Sequence, residues 1–134
     1  MIYVDTSVVI RYLTGDDPAR TATATAVIET QASRAVSIVS ILEASHVLRT
    51  AYAYERRNIA SALMGLVSRR NVIVPEIAKD HVLRWLNGWG DGTVGSAGDA
   101  LIAASMSAHD AEAIAMFDAG FPPGSWTILT GPQL

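Results

Sequence analysis

None of the short apolar runs in this chain is joined to the next by a two-residue turn, and most are followed by a stretch of helical periodicity. That alternation limits the fold more than any other feature. Ile2-Tyr3-Val4 ends in Asp5-Thr6-Ser7, after which Val8, Val9, Tyr12 and Leu13 recur at helical spacing. Gly15-Asp16-Asp17-Pro18 closes that helix, with Asp17 as cap and Pro18 at the favoured first position of a second helix to about Thr30. Ala35-Val36-Ser37-Ile38, Val72-Ile73-Val74, Ala113 to Phe117 and Thr127-Ile128-Leu129 are the other strand candidates. Helices are expected from Ser40, from about Arg57 to Ser68, from Glu76 to about Trp89 and through Leu101 to about His109. Parallel neighbours need a crossover whereas antiparallel ones can share a hairpin, so the pattern predicts an α/β fold with a mainly parallel sheet.

The 134 residues are enough for one domain with a real core, and no linker or repeat divides them. Apolar residues make up 50% of the chain but never gather into a run long enough to span a membrane. The first residues lack the basic and apolar regions of a signal peptide, so a cytoplasmic protein is expected. The absence of cysteine excludes disulfides and thiolate metal sites. A formal charge of −3 does not advertise nucleic-acid binding, but cations bound among clustered carboxylates would cancel part of it. Lys79 is the sole lysine beside nine arginines; Arg11, Arg49, Arg56 and Arg57 are candidates for bidentate phosphate contacts.

The acids carry the chemistry. Asp5 and Asp118 directly follow strand candidates, and Asp99 opens a helix after the glycine-rich stretch Asn87 to Gly98. Glu43 stands about one turn into the helix expected after the second strand. In a parallel sheet these are ligand-facing positions at the carboxyl ends of strands. Each also has a local explanation: an N-cap at Asp5, a capping box over Ser40-Ile41-Leu42-Glu43, a favourable helix-end charge at Asp99 and turn chemistry at Asp118. Local explanations do not account for acids recurring at the same end of successive units. Converging carboxylates repel unless a divalent cation lies between them, and an all-oxygen set suits Mg²⁺ or Mn²⁺.

The run Ile2 to Leu13, the segment Ser40 to Glu43, the run Gly98-Asp99-Ala100-Leu101-Ile102-Ala103-Ala104 and the pair Phe117-Asp118 resemble the PIN-domain ribonucleases, and among them the VapC toxins of prokaryotic toxin–antitoxin pairs. The resemblance covers nearly the whole chain, so residues 1–134 are read as a single PIN-like domain, with a five-stranded sheet implied. It further implies that Asp5, Glu43, Asp99 and Asp118 form the catalytic cluster, with a hydroxyl from Thr6 or Ser7 beside them. The family often has a hydroxyl residue two positions before the last aspartate and an acid shortly after it; Met116 and Gly120 stand near those positions.

The expected reaction is hydrolysis of an RNA phosphodiester by water activated by one or two divalent ions, with Asp5 and Asp99 as direct metal ligands. A cognate VapB-like antitoxin and a homodimer are expected with it. Two other readings compete. One is a PIN-like module that binds RNA or protein without cutting. The other is a haloacid-dehalogenase-type phosphatase, which needs a second aspartate where Ser7 stands. Gly90 to Gly95 spells a dinucleotide-binding glycine pattern but follows a helix instead of a strand. It is read as a connector or as a mobile edge of the site. His46 shares the helical face of Glu43, and Trp85 and Trp89 are expected to pack on one face with Val82 and Leu86.

Overall fold

The computed structural model describes residues 1–118 and 120–131. The elements alternate as expected: β1 (Ile2–Val4), α1 (Thr6–Thr14), α2 (Pro18–Ile28), β2 (Arg34–Ala35), α3 (Ile38–Thr50), α4 (Arg56–Val67), β3 (Val72–Ile73), α5 (Lys79–Gly90), α6 (Ala97–Ala108), β4 (Ala113–Ala115) and β5 (Thr127–Leu129). Five strands form one sheet in the order β3-β2-β1-β4-β5, and every pairing is parallel. Strand order therefore reverses between β1 and β4. A crevice opens beyond the carboxyl ends of those two strands.

Side chains alternate across a strand, and here they feed two cores. Val4 and Val36 pack with Val8, Ile28, Leu48 and Leu66 under α1 to α4. Tyr3, Ala35 and Ile114 face the other way, against Ile102, Met106, Phe121 and Trp126. Within this second core Tyr3 Oη and Ser105 Oγ share a buried hydrogen bond of 2.8 Å, so the inward tyrosine keeps a partner.

The capping signals near the N-terminus behave as the sequence predicts. Gly15 ends α1 in the left-handed region at φ 65°, its N–H donating to the Arg11 carbonyl. Asp17 caps α2, with Pro18 in its first turn.

Four expectations need correction. The second strand is Arg34–Ala35 and not Ala35–Ile38, because Ser37 takes the N-cap of α3 and its Oγ accepts from the Val39 N–H at 3.1 Å. Helix α3 thus starts at Ile38, and the capping box from Ser40 to Glu43 does not form. Ser40 is buried one turn inside, and Glu43 stands in the second turn instead of the first. Helix α5 starts at Lys79 and not Glu76; Ala78 offers no side chain to cap it. That helix buries no residue fully, so the tryptophans divide. Trp85 lies 5.6 Å from Trp126, centroid to centroid, whereas Trp89 remains 48% exposed.

Candidate active site

Asp5 is the residue where β1 becomes α1, and its surroundings fix it from both sides. Its N–H donates to the Ala115 carbonyl at 2.9 Å, tying it across the sheet to β4. Its carboxylate accepts from the Ser7 N–H at 3.1 Å and from Ser7 Oγ at 2.9 Å. Ser7 Oγ in turn accepts from the Phe117 N–H at 3.0 Å. The cap expected at Asp5 is real, yet it does not exhaust the residue. Asp5 is only 8% exposed, and burial pushes its carboxyl above the usual aspartate range, against the Ser7 and Thr6 hydrogen bonds that lower it; the charge of Asp118 pushes it further up.

Glu43 reaches the same place from α3. Its Oε1 accepts from Thr6 Oγ1 at 2.8 Å, so the first turn of α1 holds two carboxylates, one through Thr6 and one through Ser7. Its other oxygen, Oε2, lies against Gly98, where an added Cβ would collide with it. A glycine at that point is what lets the α3 carboxylate approach the start of α6.

Asp99 is the third residue of α6, and its N–H donates to the N-cap Ser96 Oγ at 3.0 Å. Burial raises its carboxyl first; the charges of Asp5 and Glu43 raise it further. Asp118, exposed just beyond β4, completes the set. All four sequence-predicted acids line one open cleft of about 480 Å³, beside Thr6, Ser7, Arg11, Arg20, Tyr52 and Phe117. Other candidates lie elsewhere. His46 is exposed and outside the cleft; Gly90 to Gly95 also lie outside it, with Val94 buried, and fold back through Thr93 and Val94 N–H groups donating to the Gly88 carbonyl at 2.9 and 3.2 Å. Arg20 and Tyr52 are cleft residues that the sequence reading missed. One lies in a helix of low amphipathic contrast and the other in a loop, so neither position stood out.

Among the described residues no three His, Asp or Glu side chains form a ready-made metal cage. The carboxylates line the cleft more loosely than that. An open cleft lined by carboxylates is compatible with Mg²⁺, which keeps several of its waters and takes one or two carboxylates instead of a full protein shell. The donors are all oxygen, and the desolvated pair Asp5 and Asp99 would be relieved by a cation. The residues present therefore fit such an ion.

A sequence profile of the PIN domain matches residues 2–122. None of the curated proteins matches the chain in sequence. Among solved structures, the chain is similar to VapC20 of Mycobacterium tuberculosis, a sarcin–ricin loop cleaving toxin, with 21% identity, a TM-score of 0.70, and coverage of 88% of this chain and 90% of that one. It is also similar to VapBC2 from Rickettsia felis, solved bound to a DNA fragment from their promoter, with 14% identity, a TM-score of 0.69, and coverage of 97% of this chain and 98% of that one. At these identities the likeness is one of fold.

Proposed function

Because the chain belongs to the PIN-domain family, we propose that it is a Mg²⁺- or Mn²⁺-dependent endoribonuclease and the toxin of a VapBC-type pair. The observation that carries this reading is the convergence of Asp5, Glu43, Asp99 and Asp118 on one cleft at the point where strand order reverses. A surface that merely bound a polyanion would not gather repelling charges there.

Asp5 and Asp99 would hold the cation, since they are the two carboxyls that burial has made costly to ionise alone. When bound, the ion supplies a Lewis acid that lowers the pKa of water and offsets charge growing on the phosphate. Thr6 occupies Glu43 Oε1. Oε2 is therefore the oxygen free to orient the attacking water and take its proton. Asp118, exposed at the cleft edge, would accept hydrogen bonds from the water around a bound ion. The phosphatase reading finds no support: Ser7 Oγ is engaged by Asp5 and Phe117, and Lys79 opens α5 away from the cleft.

The test is a mixed RNA pool incubated with the purified protein, with and without Mg²⁺ or Mn²⁺. Defined cuts are expected only with the ion, and Asp5→Ala or Asp99→Ala should abolish them in a protein that still melts cooperatively. Undiminished cutting in excess chelator would sink the proposal.

Two structural neighbours bear toxin names, and the toxin assignment follows them. It entails a VapB-like antitoxin that places basic side chains among the carboxylates, where charge-assisted hydrogen bonds are strong. It also entails a homodimer and a cytoplasmic site of action. Among the described residues no helix is long and apolar enough to cross a membrane.

A further inference from the structure

The cleft holds cations as well as acids. Arg11 and Arg20 both line it, and both come from the α1–α2 hairpin. Arg20 lies over the Phe117 ring, 5.3 Å from its centroid, and near Asp17 at 3.8 Å. Arg11 is held more firmly. Its Nη1 donates to both carboxylate oxygens of Asp16 at 3.0 Å. Asp16 also accepts from Tyr52 Oη at 2.6 Å and from Thr14 Oγ1 at 2.9 Å. Those two hydroxyls, with Arg11 itself, draw the Asp16 carboxyl down to about 2, so it is ionised near neutral pH. The brace spans the end of α1, the turn after it and the segment after α3.

A guanidinium has five N–H donors. Nη1 is taken, whereas the edge formed by Nε and Nη2 has no partner among the described residues. Two parallel donors on one edge match a phosphate bidentately. The brace also solves a local problem, because an untethered arginine beside four carboxylates would pair with one of them and block the cation. Arg49, Arg56 and Arg57, the other arginines of interest, line a separate concavity between α3 and α4.

Resting on the endoribonuclease reading above, we infer that Arg11 binds the RNA backbone phosphate next to the one being cut, and that Asp16, Tyr52 and Thr14 are its positioning residues. The neighbouring phosphate is favoured over the reacting one by distance. Arg11 follows Asp5 by six residues, roughly 9 Å along a helix axis. Asp16 draws the guanidinium further towards the end of α1. A purely structural role is the alternative, since Arg11 sits in the last turn of α1 and pairs with an exposed acid.

The experiment uses the whole protein and a fluorescently labelled RNA oligomer that it cuts. KM and kcat are measured with Mn²⁺, and Kd is measured across a salt series in excess chelator, for wild type, Arg11→Ala, Arg11→Lys and Tyr52→Phe. Arg11→Ala should raise KM about tenfold or more, with the loss falling in KM and not in kcat. Its salt slope should fall by about 0.7, the share of one phosphate on a single strand. Arg11→Lys should keep the slope but lose the fork, leaving KM between the two. Tyr52→Phe should raise KM less, with the charge intact. Should Arg11→Ala fail to fold, the lysine and phenylalanine variants carry the comparison. A structural role moves the melting temperature and leaves KM and salt slope alone. That outcome, or a loss confined to kcat, would overturn the inference while the nuclease reading stands. A wild-type protein that cuts no RNA with either ion would remove both.

Discussion

Asp99 serves α6 and the cleft at once, and the two roles give opposite signs when it is changed to asparagine. As a charge in the first turn it stabilises the helix by about 0.3–1 kcal/mol. As a member of the cluster it is pushed up by burial and by Asp5 and Glu43, so in metal-free protein its ionised form opposes folding. In excess chelator near neutral pH, Asp99→Asn should melt at the wild-type temperature or above. Mn²⁺ should raise the melting point of wild type and scarcely move the mutant, because only the folded site binds it. The pH dependence follows the same sign. Asp5 and Asp99 bind protons more tightly folded than unfolded, so their contribution to stability is fully present below the usual 3.8 and is lost as pH rises through their raised values. Asp16 runs the other way: its contribution is present above 3.8 and lost as pH falls towards about 2. As pH falls from neutral towards 3.8, the contribution of these two carboxyls should therefore raise the melting temperature of metal-free wild type, and Asp99→Asn should gain less. A mutant less stable in chelator yet equally stabilised by Mn²⁺ would make Asp99 a cap alone. At this scale Asp5 and Asp99 were legible because each sits at a helix start that sequence marks, whereas Glu43 lies in the second turn of α3 and Asp118 beyond the end of β4. Tyr52 was not legible, because its partner Asp16 is 36 residues away.

Helix α6 begins against the carboxylate of α3, and only a missing methyl separates them. Gly98→Ala tests that approach. Alanine favours a helix over glycine by about 1 kcal/mol, and the group it meets is the mobile end of a glutamate, so stability should hold or rise slightly. Cleavage should fall on the order of 100-fold, because Glu43 is displaced from the position Thr6 gives it. Equal rates for mutant and wild type would show that Glu43 needs no such seat. At the far end of α1 the constraint is backbone conformation instead of space. A Cβ on Gly15 meets nothing, but at φ 65° an alanine is strained, and Gly15→Ala should cost about 1 kcal/mol by urea denaturation. Element boundaries were legible where a capping side chain was unambiguous, as at Asp17. They were misread where two serines competed, since Ser37 and Ser40 both precede helical periodicity and both are buried; only the hydrogen bond from the Val39 N–H to Ser37 Oγ decides between them.

The parallel sheet could be read from the absence of hairpins, but its strand order could not, because order depends on pairings between distant segments. Surface also enters at this scale. Ile38 and Leu42, one turn apart on α3, are 54% and 70% exposed, and a dimer that covers them would account for that apolar face. Light scattering should report a dimer at working concentrations; monomer throughout would remove the claim. The central place of β1 has a consequence for synthesis. Asp5 is fastened through Ala115 and, by way of Ser7, through Phe117, a partner 110 residues further along the chain than Ser7. Non-local pairings of this kind form late in folding. A nascent chain that still lacks Ala115 and Phe117 thus carries no assembled cleft, and a site built this way stays incomplete during synthesis until both residues have been made.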